Sequence, residues 1–414
     1  MQATHGMLGF LLGVMVCAGC PPLAHDEGAA VRSGLEVLLS DSLHLVRGKR
    51  VGLVTNQSGV DGAGVSGVDR LVGAGVHLVA LFSPEHGFRG TADPGAEVAS
   101  SRDSATGLPI YSLYGRNSAP TDTMLAGIDV LLVDLQDAGA RYYTYLWTTV
   151  GVMRAAAARG LPVIVLDRPN PIGGAVQGNV LDTAYRSAVG LVAVPMRHGM
   201  TLGELAQLAR HDLGLTTDLV VVPAAGWRRT MYFDETGLPF VPPSPNLRTL
   251  EALIHYPGLC LFEGTTLSVG RGTDRPFELV GAPWIEPRRF AAALDLAQVP
   301  GVKYVPLYFT PATSAHQGSA CGGVSIVLME PGKVDSVLLG LTLASVLNDL
   351  YPGVFKIDGM LGLLGNAEAL KMLKAGRSPA EVLTSGDSDL RTFMAKRQRV
   401  LLYGPLPDPK EGNR

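Results

Sequence analysis

Charge is scarce in this sequence. Asp, Glu, Lys and Arg make up only 17% of the 414 residues and leave a net charge of −3. With no basic run, the chain has no field to hold a polyanion, so nucleic acid is not an expected partner. Cysteine is scarcer still. Cys17 and Cys20 fall in an apolar N-terminal stretch, and Cys260 and Cys321 stand far apart. Two distant thiols make no metal cage; they read as buried free cysteines or as one disulfide. The marks of several enzyme classes are also missing: no Gly-x-Ser-x-Gly elbow, no His-Glu-x-x-His and no Walker lysine. That argues against a serine α/β-hydrolase, a zinc hydrolase and a P-loop enzyme. His86 and His198 lie far apart in sequence and would have to meet in space to share a metal, so a metal site is the minority reading, and no metal or cofactor is expected.

Long apolar runs are absent too. The longest near the start, Met7–Val16, is too short to span a bilayer and reads as the core of a signal peptide over residues 1–20. Ala18-Gly19-Cys20 at its end resembles a bacterial lipobox, in which Cys20 is lipidated after cleavage. The chain is then exported, periplasmic or at the cell envelope, and touches a membrane only through that lipid. Residues 21–30 read as a linker.

What the sequence does have is apolar content, 47% of residues, in blocks suited to buried strands. Arg50–Gln57, His77–Ser83, Asp129–Leu135, Leu161–Leu166 and Leu219–Pro223 alternate with helical stretches. This alternation predicts an α/β fold, a Rossmann-like doubly wound sheet that is mostly parallel, over residues 31–239. Thr201-Leu-Gly-Glu204 is a capping box opening a helix that Gly214 closes. Thr91–Gly115 reads as a long irregular connection. From about Phe240 the texture turns Pro-rich, and residues 240–414 read as a smaller α+β domain whose loops return to the cleft.

In a parallel sheet all strands end on one edge, where open α/β folds bind ligands. Asn56, Glu85-His86, Asp137/Arg141 and Asp167/Arg168/Asn170 each follow a strand and should share that rim. Gly62-Ala-Gly64-Val-Ser-Gly67 matches the dinucleotide fingerprint by spelling, but Ser58–Asp61 separate it from the strand. A plain glycine-rich loop is the better reading, and a nucleotide oxidoreductase the weaker one. Carboxylates at a polar rim, Glu85 and Asp137 with Glu263 and Asp274 from the second half, suit glycoside cleavage, which needs two of them.

Longer blocks sharpen this. Ser83–Gly90 (SPEHGFRG), Asp134–Tyr145 (DLQDAGARYYTY), Leu166–Gly174 (LDRPNPIGG), Arg197–Thr201 (RHGMT), Gly237–Asn246 (GLPFVPPSPN), Tyr256–Trp284 and Ala395–Tyr403 (AKRQRVLLY) resemble, in order, the exo-β-N-acetylmuramidases of the NamZ type. The resemblance runs from about Gly34 to Tyr403. It implies a Rossmann-like catalytic domain, a smaller C-terminal domain and release of N-acetylmuramic acid from the non-reducing end of peptidoglycan fragments. It places the catalytic glutamate on Glu85, as general acid/base, with His86 beside it and Asp137 or Glu263 as the second carboxyl. It implies a substrate cleft lined by Asn56, Arg89, Arg141, Tyr142, Arg168, Asn170, Arg197, His198, Asn246 and Arg271. A fork from Arg271 or Arg141 would meet the lactyl carboxylate. Two positions depart from the family pattern: Gln177 stands where a glutamate is expected, and Thr266 where an asparagine is. The loss at 177 favours a second reading, a lipoprotein that binds muropeptides in the same cleft without cleaving them.

Overall fold

The computed structural model describes residues 30–92 and 100–404. The leader and Cys20 therefore lie outside the described residues. The chain opens with α1 (Gly34–Asp41), fixed by a Ser33/Glu36 capping box. There follow β1 (Arg50–Thr55), α2 (Gly67–Gly73), β2 (His77–Ser83), β3 (Ser101–Arg102), β4 (Pro109–Ser112), β5 (Val130–Asp134), α3 (Tyr145–Ala158) and β6 (Val163–Leu166). These strands, together with β9 (Leu219–Val222), form a seven-stranded sheet in the order β3-β4-β2-β1-β5-β6-β9. Every pairing is parallel except β3 with β4. The mostly parallel, helix-covered sheet expected from the alternation is what forms.

Its strands carry apolar side chains on both faces, as a sheet covered twice requires. Val130, Leu132, Ile164 and Leu166 pack on the side of α1 and α2. Leu131, Val133, Val163 and Val165 point the other way, into a core that continues without a break to Leu253, Phe290 and Val324 of the second half. Short β3 and β4 arise in the stretch read as irregular. Pro109 stands first in β4, where its missing N–H does least harm.

Between β6 and β9 the chain leaves the sheet for the antiparallel pair β7 (Gln177–Val180) and β8 (Pro195–Arg197). It returns through α4 (Leu202–Asp212), capped by Thr201 and Glu204 as its sequence predicts, with Gly214 just beyond at φ 61°. The second half contributes α5 (Leu250–Leu259), β10 (Leu279–Ala282), α6 (Pro287–Leu296), β11 (Val302–Phe309), β12 (Cys321–Leu328) and α7 (Ser336–Leu350). Its three strands form a small antiparallel sheet, β10-β12-β11. Helices α5 and α7 meet backbone to backbone. A Cβ added to Gly258 would lie 1.9 Å from the Ser336 carbonyl oxygen, and one on Gly340 2.4 Å from that of Gly258. Cys260 and Cys321 are both buried and free, so the disulfide reading is set aside.

The glycine-rich stretch is a loop, as expected. Asp61 Oδ1 accepts from the Ala63 and Val65 N–H groups, and Asp61 pairs with Arg70. This Asp-centred turn stands between β1 and α2, where a dinucleotide fingerprint would need its first glycine at the strand end.

Candidate active site

Strand β1 is flanked by β2 on one side and β5 on the other, so the chain reverses direction across the sheet there. Such a switch point opens a crevice beyond the strand ends. Glu85 and His86 leave the end of β2, Tyr114 follows β4, and Tyr142, Tyr143 and Thr144 lead from β5 into α3. The second half closes over them with Ser244, Leu247, Tyr256, Cys260, Glu263, Arg271, Phe277 and Leu363. Together these groups line a recessed pocket of about 120 Å³.

Glu85 sits at the pocket with 8% of its surface exposed. Thr144 Oγ1 donates to its Oε2 at 2.6 Å. The Tyr114 hydroxyl also hydrogen-bonds to Glu85, and burial with the nearby Glu85 charge pushes that phenol up to about 12. Two hydroxyls therefore orient the carboxyl. Thr144 is the residue before α3 that would ordinarily cap the helix, yet its side chain makes no cap bond. The hydroxyl is directed to Glu85 instead. His86 holds a left-handed backbone, φ 71°, and its Nδ1 faces the Ala92 carbonyl oxygen at 2.9 Å. A bulky residue with positive φ beside a recessed acid is the kind of strain that marks functional turns.

Glu263 faces the same pocket, with its side chain 28% exposed and paired to Arg271, whose Nε lies 2.7 Å from Oε1. Burial raises its pKa; the arginine pulls it back down, and the charge of Glu85 raises it again. Glu85 thus lies close enough to act on Glu263 across the pocket. Arg271 also lies over the Phe277 ring, 5.2 Å from its centroid. Tyr256 packs edge-on against Phe277 and near Tyr142 and Tyr143, giving the pocket an aromatic wall.

Most of the other residues expected at the site brace it from behind. Asp137 is outside the lining; its Oδ1 accepts from Gly139 N–H and stands 3.6 Å from His198 Nε2. His198 Nδ1 accepts from Met200 N–H, so the ring hydrogen is on Nε2, toward Asp137. Arg141 is fully buried and donates to four carbonyl oxygens, those of Asn179, Val194, Leu363 and Leu364. It anchors the Leu363 segment over the pocket, and its one remaining N–H, on Nε, is buried away from a substrate carboxylate. Arg168 grips Asp134 with two bonds, and Asn170 ties Met200 to Ile172. Asn56 holds the Tyr145 hydroxyl and Ser58. Tyr145 in turn donates to Pro243 O, as Tyr143 does, which fixes the Pro-rich loop above the sheet. Arg89 faces solvent, its side chain 71% exposed, 3.7 Å from Asp103. Asp274 is exposed as well. Asn246 lines a second, more open groove of about 380 Å³ that shares Glu263 and Arg271 with the pocket.

Arg197 is buried and binds Ile172 O and Gln177 Oε1. Gln177 also accepts from Ser336 N–H and donates to Val334 O. Position 177 therefore ties β7, β8 and the start of α7 together, outside the pocket lining, and its missing carboxylate takes no acid from the pocket. Thr266 is likewise a brace, its hydroxyl bridging Val354 O and Lys356 N. Sequence reasoning missed Tyr114, Thr144, Tyr256 and Phe277. The last three stood inside the conspicuous blocks, but a hydroxyl that orients a neighbour's carboxyl has no spelling of its own.

Comparison with known proteins covers most of the chain. A family model described as exo-beta-N-acetylmuramidase NamZ, N-terminal, matches residues 51–251, and its C-terminal counterpart matches residues 254–403. The peptidoglycan beta-N-acetylmuramidase NamZ of Bacillus subtilis (strain 168) is 41% identical over 401 residues, covering 95% of this chain and 97% of that protein. The chain belongs to the NamZ family. Two crystal structures of DUF1343 family proteins from Bacteroides fragilis NCTC 9343 share the fold. They superpose with TM-scores of 0.83 and 0.75 at 34% and 31% identity, each covering 91% of this chain and 99% and 100% of their own. The sequence blocks that carry the family resemblance divide in two. SPEHG and the Tyr256–Trp284 block deliver acids to the pocket, while LDRPNPIGG and RHGMT hold the strand ends and loops beneath it.

Proposed function

We propose that this chain is an exo-acting glycoside hydrolase that releases N-acetylmuramic acid from the non-reducing end of peptidoglycan fragments. The observation that carries the reading is the pairing of Glu85 and Glu263 at one recessed, aromatic-walled pocket. Glycoside cleavage needs one carboxyl to protonate the departing oxygen and another on the opposite side of the sugar to attack or to activate water. Glu85, oriented by Thr144 and Tyr114, is the general acid/base. Glu263 is the second carboxyl, favoured over Asp137 because only Glu263 faces the pocket. Arg271, at the pocket edge, is the arginine placed for the lactyl carboxylate: its Nε and Nη2 are turned to Glu263, and the Nη1 side of the guanidinium is the part offered to a substrate carboxylate. Family membership supports the substrate class.

The test is release of the chromophore from an aryl β-N-acetylmuramide. Wild-type turnover with a loss of at least about a hundredfold in Glu85→Gln supports the reading. Tight binding without turnover in the wild type favours a muropeptide-binding module instead. The feature that favoured that module, the glutamine at 177, lies outside the pocket.

The apolar run ahead of Cys20 supports export with a lipid on that cysteine. Cys20→Ser should then move the chain from the membrane fraction to the soluble one. An unchanged distribution would remove the anchor.

A further inference from the structure

The recessed pocket and the open groove share one wall, the Glu263–Arg271 pair. We propose that the groove is the subsite for the sugar that departs, with Asn246 and Thr313 as its specificity-determining side chains. This rests on the hydrolase reading above. A bond cleaved beside Glu263 leaves one sugar in the recessed pocket, and the groove continues past that shared wall.

The groove has the chemistry of a sugar site. Its floor is apolar, from the buried Leu267 and Val269, and its sides carry the Asn246 amide and the Thr313 and Ser314 hydroxyls. A pyranose presents the same division, an apolar face and a rim of hydroxyl and amide groups. The groove's charged groups are Glu263 and Arg271, which pair with each other. A neutral N-acetylated sugar fits it better than an ionised peptide.

Its outer wall is also built in advance. The loop between β11 and β12 holds two non-glycine residues at positive φ, Ser314 at 69° and His316 at 62°. Such backbone persists only where neighbours fix it. Ala312 N–H donates to Gly272 O at 2.8 Å, Gly318 N–H to Pro311 O at 2.8 Å, and His316 Nε2 lies 2.9 Å from Thr266 O. Gly272 allows the close approach, since a Cβ there would sit 2.3 Å from Thr313 O. The loop is thereby fastened to the residue that follows Arg271. A wall held in one conformation loses little freedom when a sugar binds.

The experiment compares two substrates that share N-acetylmuramic acid and differ in what departs: the disaccharide with N-acetylglucosamine, and the 4-nitrophenyl glycoside. In Asn246→Ala/Thr313→Ala the ratio of kcat/KM for disaccharide over aryl glycoside should fall about tenfold, the loss of one or two hydrogen bonds. An unchanged ratio, whether both values hold or both fall together, overturns the proposal. A binding arm separates this from the hydrolase reading. By calorimetry, Glu85→Gln protein should bind the disaccharide more tightly than free N-acetylmuramic acid. Adding the two groove substitutions should erase that difference. If the wild type cleaves neither substrate, the hydrolase reading falls, and the calorimetric difference alone decides the groove. Equal affinity for the two sugars before the groove substitutions overturns it.

Discussion

Thr144 directs its hydroxyl to Glu85 instead of to the helix it precedes, although its position before α3 suits a cap. Because no cap bond exists to lose, Thr144→Val should leave the unfolding midpoint unchanged, whereas removing a working cap costs about 1 kcal/mol. The same change should lower kcat about tenfold with little effect on KM, because it disturbs the acid rather than the sugar contacts. A matched fall in stability and activity would make Thr144 merely structural. Arg141 is the opposite case. A carboxylate-binding arginine and a buried strut look alike in sequence, and only the four surrounding carbonyl oxygens distinguish them. Asp137 was misleading for the same reason: it follows a strand, as Glu85 does, but turns inward to its own loop and His198.

At the scale of elements, the strands and their common rim were legible because a buried parallel strand is an apolar block with a polar end. The second half's share was legible only in part: Glu263 and Arg271 were expected at the cleft, but the side chains that close the pocket around them, Tyr256 and Phe277, were not, since the closure of loops over a sheet depends on contacts hundreds of residues apart. Pro243, held by Tyr143 and Tyr145 from across the sequence, is one such contact. The α5–α7 crossing is another, and it has a sharp consequence. Gly340→Ala would gain about 1 kcal/mol in helix propensity. The added methyl meets the backbone of Gly258, which cannot turn aside, and overpacking of this kind costs 1–3 kcal/mol or more. The urea midpoint should fall, reflecting a net loss of up to roughly 2 kcal/mol. A rise would mean that the helices separate freely.

Across the whole molecule, two buried groups set opposing pH dependences. Burial, reinforced by Glu204, raises Asp167 to about 6, although Thr201 and Tyr403 donate to it. Its folded form holds a proton more tightly than the unfolded form does, so its contribution to stability is full below about pH 4 and is lost as pH rises through 6. Burial lowers His255 to about 4, with the Phe277 carbonyl oxygen at its Nδ1 partly opposing the shift. Its contribution is present above the unfolded value near 6.5 and is lost as pH falls through 4. Between pH 4 and 6 the two slopes oppose each other. Asp167→Asn should therefore make stability rise with pH across that window relative to the wild type, by up to about 3 kcal/mol. His255→Gln should make it fall. Parallel urea-denaturation curves for wild type and variants at every pH would contradict both assignments.

The proposed hydrolysis depends on two carboxyls acting on one sugar. Its most direct test is free N-acetylmuramic acid released from a defined disaccharide bearing that sugar at the non-reducing end, measured for wild type, Glu85→Gln and Glu263→Gln. Release by the wild type, falling at least about a hundredfold in each variant while disaccharide binding persists, is the predicted result. Release by Glu85→Gln at the wild-type rate would contradict it.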